Sequence, residues 1–336
     1  MALPNIRSIT QAEFLRVFRE LGEPAYKAEA LKQFLFKEGV TDFEHVTTLS
    51  LAVRRQLALR YDAVMPEIAS RAVANDGTVK VLLNWAGTTA EAVLMPSVKG
   101  KTICLSAQSG CRLRCGFCAT GTLGLKRNLT CGEILDQILV LSGEGAISRV
   151  VVMGMGEPME NLDELIPALA FAISEKGHSL SRKKVTVSTV GLCPEIERFA
   201  AEGPGVELAI SLHATTDEIR TMLMPVNKKY PIEMLMRSAR IYAERANAKV
   251  TIEYTLLEDV NDTDADAGRL ARISRKYQMP VNLIRYNKVS DLPFSPSPRL
   301  DEFALMLKGK ALGVTVRRSK GSSIQAACGQ LAGALR

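Results

Sequence analysis

The alternation of apolar and polar positions changes character twice along the chain. Over residues 10–62 apolar residues recur at intervals of three and four: "TQAEFLRVFRELG" opens on a threonine able to cap a helix, "PAYKAEALKQFLFKEG" ends on glycine, and "LSLAVRRQLALRYD" carries a further amphipathic stripe. These stretches predict short helices. Two β-rich runs, "TVKVLLNW" and "AEAVLMPS", flank "AGTT" and predict a hairpin at 78–97. From residue 101 onward the apolar runs "TICLSA", "RVVVMGM", "KVTVST", "VELAISLH", "KVTIEYTLL" and "MPVNLIRYN" alternate with helix-like stretches starting near 131, 161, 194, 231, 262 and 300. Such alternation predicts an α/β fold of βα units around a parallel sheet, with a late strand at "GVTVRRS". Six units make an incomplete barrel, not a closed eightfold one. The chain thus divides into a helical accessory segment (1–75), a linking hairpin (76–97) and a main α/β domain (98–336).

Composition adds a sizeable core and a basic surface. Of 336 residues 47% are hydrophobic and 24% charged, ordinary values for a globular protein. Lys and Arg outnumber Asp and Glu by 43 to 36, and the resulting +7 charge favours polyanionic partners. Aromatic residues are scarce at 5%, so phosphate contacts, not base stacking, would dominate a nucleic-acid grip. Lys27, Lys32, Lys37, Arg54, Arg55 and Arg60 make the helical segment a candidate nucleic-acid contact; the alternative is a structural cap. The start "MALPNIRSIT" lacks the pattern of a signal peptide, and no apolar run reaches the roughly 18–20 residues of a membrane span, so a cytoplasmic protein is expected. In a reducing compartment, seven cysteines read as metal ligands or catalytic thiols, not as a disulfide framework.

The unusual residues collect where strands give way to helices. Cysteines follow the first parallel strand, "GEP" the second, Ser188 ends the third, "SLH" the fourth, and Asn287 follows the sixth. In α/β barrels this is the end of the strands where chemistry sits, so residues far apart in sequence are expected to share one pocket. Cys111, Cys115 and Cys118 form C-x3-C-x2-C, one thiolate short of a closed tetrahedral site. No histidine pair at zinc-ligand spacing accompanies them, although Cys104 or Cys131 could close a zinc site by proximity. The spacing also differs from the four-thiolate ferredoxin runs. Three thiolates on a four-iron cubane leave one iron open; zinc, and cysteines without a shared role, are the competing readings.

The triplet followed by "GMGEPMEN" resembles the radical S-adenosylmethionine (SAM) superfamily. Together with "LKRNLT", "VSTVGL", "SLHA", "LMPVNKKYPI", "NLIRYN" and "AACGQL", it more closely resembles the RlmN/Cfr family of RNA adenosine methyltransferases. The resemblance implies a partial (β/α)6 TIM-like radical SAM barrel and a 4Fe–4S cluster on Cys111, Cys115 and Cys118, whose open iron takes the amino and carboxylate groups of SAM. It implies Gly156 and Glu157 at the SAM amino group, where a carboxylate and a carbonyl suit an ammonium. Ser188, Ser211, Leu212, His213 and Asn287 match the other SAM contacts. Adenine C2 and C8 are electrophilic carbons on which ordinary attack on the SAM methyl fails; the family first methylates a protein cysteine, which Cys328 matches. Cys104 matches the second catalytic thiol, which resolves the protein–RNA adduct through a transient disulfide. Glu91 matches a proton acceptor, while Cys131 and Cys193 match no catalytic position and read as packing residues. Without the resemblance, His213 would read as a structural histidine and Glu91 as a solvated hairpin residue.

Two departures stand out: "SAQSGC" replaces a usual "SSQ-x-GC", and "SSIQAACGQL" replaces two acids of the usual "D-I-D" approach to the methyl-carrying cysteine. The "GEP" form favours C2 methylation of adenosine in 23S ribosomal RNA, at the peptidyl transferase centre, and in transfer RNA; "NLIRYN" pulls toward the C8-methylating resistance branch. An external one-electron reductant such as flavodoxin, no membrane and a monomeric enzyme complete the expectation. The alternatives from other classes are a non-catalytic iron–sulfur or zinc RNA-binding protein, and a radical SAM enzyme of small molecules or proteins.

Overall fold

The computed structural model describes residues 3–97, 100–317 and 319–332. Three helices open it: α1 (Gln11–Glu20), α2 (Ala25–Phe36) and α3 (Leu51–Arg60). Thr10 and Ser50 cap α1 and α3 by accepting from the backbone N–H of Glu13 and Val53, at 3.2 and 3.3 Å. An antiparallel meander follows, β1 (Glu67–Val73), β2 (Val79–Trp85) and β3 (Thr88–Ser97). The β2–β3 turn places Ala86 and Gly87 at φ 50° and 94°, the left-handed pair that tight hairpins need. The hairpin expected at 78–97 is therefore present, but β1 is an addition. It falls within the segment read as helical because its side chains are exposed or only half-buried, leaving no clean alternation to read.

Strand β4 (Gly100–Leu105) pairs antiparallel with β3 and starts the parallel series. After it come β5 (Gln108–Cys111), the single turn α4 (Ala119–Thr122), β6 (Gly124–Asn128) and α5 (Cys131–Ser142). The alternation then runs β7 (Ile147–Val152), α6 (Leu162–Ile173), β8 (Val185–Thr189), α7 (Cys193–Glu202), β9 (Glu207–Ser211), α8 (Asp217–Leu223) and α9 (Ile232–Arg245). It closes with β10 (Val250–Leu256), α10 (Asp264–Tyr277), β11 (Val281–Arg285), α11 (Leu300–Leu307) and β12 (Val314–Arg317). The ten strands of the main sheet lie in the order β1-β2-β3-β4-β7-β8-β9-β10-β11-β12, and β4 through β12 run parallel. Each successive parallel pair is joined through at least one helix, so six βα units and a last strand form an open barrel, as the periodicity predicts. The helix starts agree with expectation to within two residues. The short β5–β6 ribbon and α8 were not legible, being too brief to establish a period.

A buried polar knot docks the N-terminal segment on the barrel. Arg7 is 0% exposed; it donates to Asp136 of α5 at 2.8 Å, to Ala63 O at 2.9 Å and to Val40 O at 2.8 Å. Asp136 also accepts from Trp85 Nε1 at 3.2 Å, joining the meander to the same point. Burial pushes the Asp136 carboxyl up to about 6 against the pull of Arg7. Removing one partner of such a pair costs about 3–5 kcal/mol, because the other charge is left buried. Lys32 corrects the basic-face expectation: it is 3% exposed, 3.3 Å from Glu29 and over the Phe14 ring, so it faces inward. Lys37, Arg55 and Arg60 are exposed, although Lys37 also donates to Glu175 O at 3.0 Å; Lys27 and Arg54 donate to the carbonyls of Thr48 and Glu44. Among the described residues no helix is long and apolar enough to cross a membrane.

Candidate active site

The carboxyl ends of the parallel strands surround a cavity of about 540 Å³. Every predicted site residue lines it except Glu91, Cys111 and Leu212. Alternate residues of single strands, such as Thr251, Glu253 and Thr255, face the same space, so polar side chains enter a barrel interior that is open where a closed barrel would be packed.

The cysteine loop leaves β5 and returns through α4. Gly110, at φ +80°, lies against the Gly124 carbonyl of β6, and any side chain there would collide with that backbone. Gly116 donates to Leu223 O at the end of α8 at 2.8 Å, and Cys118 N to Cys115 O at 3.2 Å. Desolvation pushes all three thiols up, Cys111 to about 12, and Cys115 is pushed further by Cys118 and Cys111. Clustered thiols that resist ionisation are what a cationic iron centre reverses, because metal coordination deprotonates a thiol outright. Among the described residues no three His, Cys, Asp or Glu side chains converge on one ion; a cubane instead offers each thiolate its own iron.

Opposite the cysteine loop, Gly156 adopts φ +95° with its Cα against the Gln108 side chain, leaving no room for a Cβ. Gln108 accepts from Glu157 N at 2.8 Å. The Glu157 carboxylate, 2% exposed, accepts from Met159 N and Val190 N, both at 3.0 Å, and so ties the loop after β7 to the loop after β8. Burial raises it to about 7 despite those donors. Ser188 and Ser211, at the ends of β8 and β9, share a hydrogen bond of 3.2 Å.

His213 follows at φ 52°, its Nδ1 accepting from Thr255 N at 3.0 Å and its ring edge-on to Phe117. Burial lowers it to about 3, so the ring is neutral with its proton on Nε2. Leu212 contributes backbone only: its side chain is buried, and its N–H and carbonyl bond to Glu253 O and Arg220 Nε.

A C-terminal strap brings Cys328 to this cavity. Gly329 O accepts from Ala119 N at 2.8 Å, Leu331 O from Thr120 Oγ1 at 2.7 Å, and Cys328 O from Asn287 Nδ2 at 3.2 Å. Glu91 anchors the far end of the strap. It is 1% exposed, not solvated; its Oε1 lies 2.9 Å from Lys80 Nζ and its Oε2 accepts from Ala332 N at 2.8 Å. Cys104, at the end of β4, lines the same cavity as Cys328, and burial pushes its thiol up to about 12.

Sequence reasoning missed Arg317. At the end of β12 it lines the cavity, its guanidinium within electrostatic reach of Cys328, Glu253 and Cys104, and Cys328 leads the groups that raise it. The alternation Val314-Thr315-Val316-Arg317 was the available signal, since Thr315 and Arg317 both face the interior. All seven cysteines are free thiols, so the Cys104–Cys328 disulfide is not present here, and Cys131 and Cys193 are buried.

Residues 105–271 match the radical SAM superfamily, and residues 4–62 match the ribosomal RNA large subunit methyltransferase N-terminal domain. The chain is similar to a radical SAM methyltransferase from Sphaerobacter thermophilus, with 36% identity over 98% of this chain and 100% of that one, at a TM-score of 0.88. It also resembles the FeFe-hydrogenase maturase HydG from Carboxydothermus hydrogenoformans, with 15% identity over 64% of this chain and 53% of that one, at a TM-score of 0.48. Radical SAM proteins use a 4Fe–4S cluster and SAM, and the thiol trio beside a cavity of ligand size with a few polar groups in its wall suits both. With a full-length likeness to a radical SAM methyltransferase and the N-terminal domain matched in place, the chain belongs to the RlmN/Cfr family of radical SAM methyltransferases.

Proposed function

We propose that this enzyme transfers a methyl group from SAM to C2 of an adenosine in 23S ribosomal RNA, and in transfer RNA, through a methylated Cys328 and a transient protein–RNA adduct. The observation that carries this reading is the meeting of Cys328 and Cys104, from opposite ends of the main domain, in the cavity lined by Cys115, Cys118 and His213. When bound on Cys111, Cys115 and Cys118, the cluster supplies with SAM the reductive cleavage that generates a carbon radical. Gly156, Glu157, Ser188, Ser211, His213 and Asn287 frame the volume for SAM, and the backbone of Leu212 sets the His213 turn. His213, neutral, offers Nε2–H as a donor without adding charge.

Cys328 is the methyl carrier, and Asn287 fixes its carbonyl. Cys104, as thiolate, takes the ring proton, passes it on, and as thiolate again attacks the Cys328 sulfur; the bond from that sulfur to the transferred carbon breaks, the carbon takes up a proton, RNA leaves methylated, and the two sulfurs are left as a disulfide, which an external reductant reopens. Arg317 favours the Cys104 thiolate that this exchange needs. Glu91, expected as a proton acceptor, is a positioning residue in this conformation, because its oxygens engage Lys80 and the strap that follows Cys328. The excess of 43 basic over 36 acidic residues and the rRNA-methyltransferase-type N-terminal domain support RNA as substrate, and "GEP" supports C2.

The test is nucleoside mass spectrometry after the anaerobically reconstituted protein acts on unmodified ribosomal and transfer RNA with methyl-labelled SAM. Labelled 2-methyladenosine is expected. Labelled 8-methyladenosine would replace the C2 assignment with C8, and no methylated adenosine despite an intact cluster would overturn the RNA methyltransferase reading.

A further inference from the structure

Arg220 of α8 is 0% exposed, and only neutral oxygens hold its guanidinium. Nε donates to Leu212 O at 3.2 Å, Nη1 to Asn227 Oδ1 at 2.9 Å, and Nη2 to Val190 O at 2.5 Å and Ser211 O at 3.2 Å. Arg7, equally buried, has Asp136 at 2.8 Å; among the described residues Arg220 has no carboxylate within ion-pair distance. Asp217, at the start of the same helix, instead accepts from Asn227 Nδ2 and Ile232 N, at 3.0 and 2.9 Å. A buried cation with no anion beside it is costly, and proteins keep one where a negative charge is to be met.

The surroundings indicate which charge that is. The carbonyls that Arg220 grips end β8 and β9, directly behind Ser188, Ser211 and His213 of the cavity. Its helix also receives Gly116 N–H on Leu223 O at 2.8 Å, in the middle of the cysteine loop. Of the ionisable groups that favour the charged guanidinium, Cys115 comes first, ahead of Asp217 and Cys193.

We propose that Arg220 is the buried counter-charge of the thiolate-bound cluster and holds the cluster's reduction potential up. The inference rests on Cys111, Cys115 and Cys118 being the cluster ligands, not on the identity of the RNA product. Reduction adds one electron and makes the cluster more negative; a fixed cation in a medium of low dielectric favours that state. The same guanidinium holds the strand ends that frame the cavity, through Leu212 O, Val190 O and Ser211 O, so charge and scaffold need separate variants.

The experiment is an EPR-monitored potentiometric titration, with dithionite as the electron source and no SAM or RNA present. It uses full-length wild type, Arg220→Met, Arg220→Lys and Asn227→Asp, each with iron and sulfide quantified. Arg220→Met is expected to lower the midpoint potential by at least the 59 mV that corresponds to a tenfold shift in the one-electron ratio. Arg220→Lys, which keeps the charge, should remain within half of that shift. Asn227→Asp sets a carboxylate against the guanidinium and should lower the potential as Arg220→Met does; it supplies the answer if Arg220→Met does not fold. A fully loaded Arg220→Met or Asn227→Asp protein titrating at the wild-type potential would overturn the proposal. So would an Arg220→Lys potential displaced as far as that of Arg220→Met, which would reduce Arg220 to a hydrogen-bonding scaffold. Folded variants unable to bind iron at all would also overturn it, because charge tuning leaves the three thiolates in place.

Discussion

At the scale of single residues the cavity is a problem of charge. Cys104 is buried and pushed up to about 12, so at neutral pH almost none of it is thiolate, yet the proposed resolution of the adduct needs the thiolate. Arg317 is the charged group that works against burial, lowering Cys104 alongside a backbone hydrogen bond from Met153, while Cys328 raises the guanidinium in return. Replacing Arg317 with Met should therefore slow adduct resolution by roughly tenfold or more, the effect of one unit in the thiol's ionisation. In a single turnover the variant is expected to accumulate a protease-sensitive protein–RNA adduct, with cluster content and SAM affinity as in wild type. An adduct that resolves at the wild-type rate would remove Arg317 from the exchange. Glu91 illustrates a different lesson: its position on a hairpin strand suggested solvation, but the strap folds back over it and supplies Ala332 N to its carboxylate.

At the scale of elements, the join between accessory helices and barrel contains a titratable group. His178, in the connection between α6 and β8, lies edge-on to Phe171, hydrogen-bonded to the backbone of Phe36 and near Lys37 of the accessory segment. Burial lowers it to about 4, with Lys37 adding to the effect. The unfolded chain, with an ordinary histidine near 6.5, takes up protons first as pH falls. The neutral ring's contribution is thus complete above about pH 6.5 and is lost as pH drops through the window down to about 4. His178→Phe should reduce the stability lost between pH 7 and pH 5 by on the order of 1–2 kcal/mol, a figure that allows for the ring's partial exposure. Urea midpoints of the two proteins at each pH measure it, and identical pH dependences would show that His178 titrates normally. The elements that escaped sequence reading have a common cause: β1 is exposed and β5, β6 and α8 are short, so none carries enough buried positions to display a period.

At the scale of the whole molecule, a basic chain meets a polyanion. If the accessory helices grip RNA, replacing the exposed Lys37, Arg55 and Arg60 with Gln should lessen the slope of log affinity against log salt by up to about 0.7–0.9 for each phosphate left without its cation. An unchanged slope, with unchanged affinity, would leave the N-terminal segment as a structural cap docked through Arg7 and Asp136. Much of the molecule was legible in advance. The order of βα units, the open barrel and the helix starts follow from apolar periodicity, which each segment carries within itself, and the C-x3-C-x2-C spacing announces its chemistry for the same reason. Most of the predicted site residues do line one cavity, because strand ends in a parallel barrel necessarily point the same way. What only the tertiary structure decided is what long-range packing creates. The strap presents Cys328 beside Cys104 and takes Glu91 out of the cavity lining. Folding also turns Lys32 inward, buries Arg220 and sets Arg317 in the cavity wall, where their charges act on sulfur. Periodicity tells which face of a segment is buried; only the assembled barrel determines what that face meets.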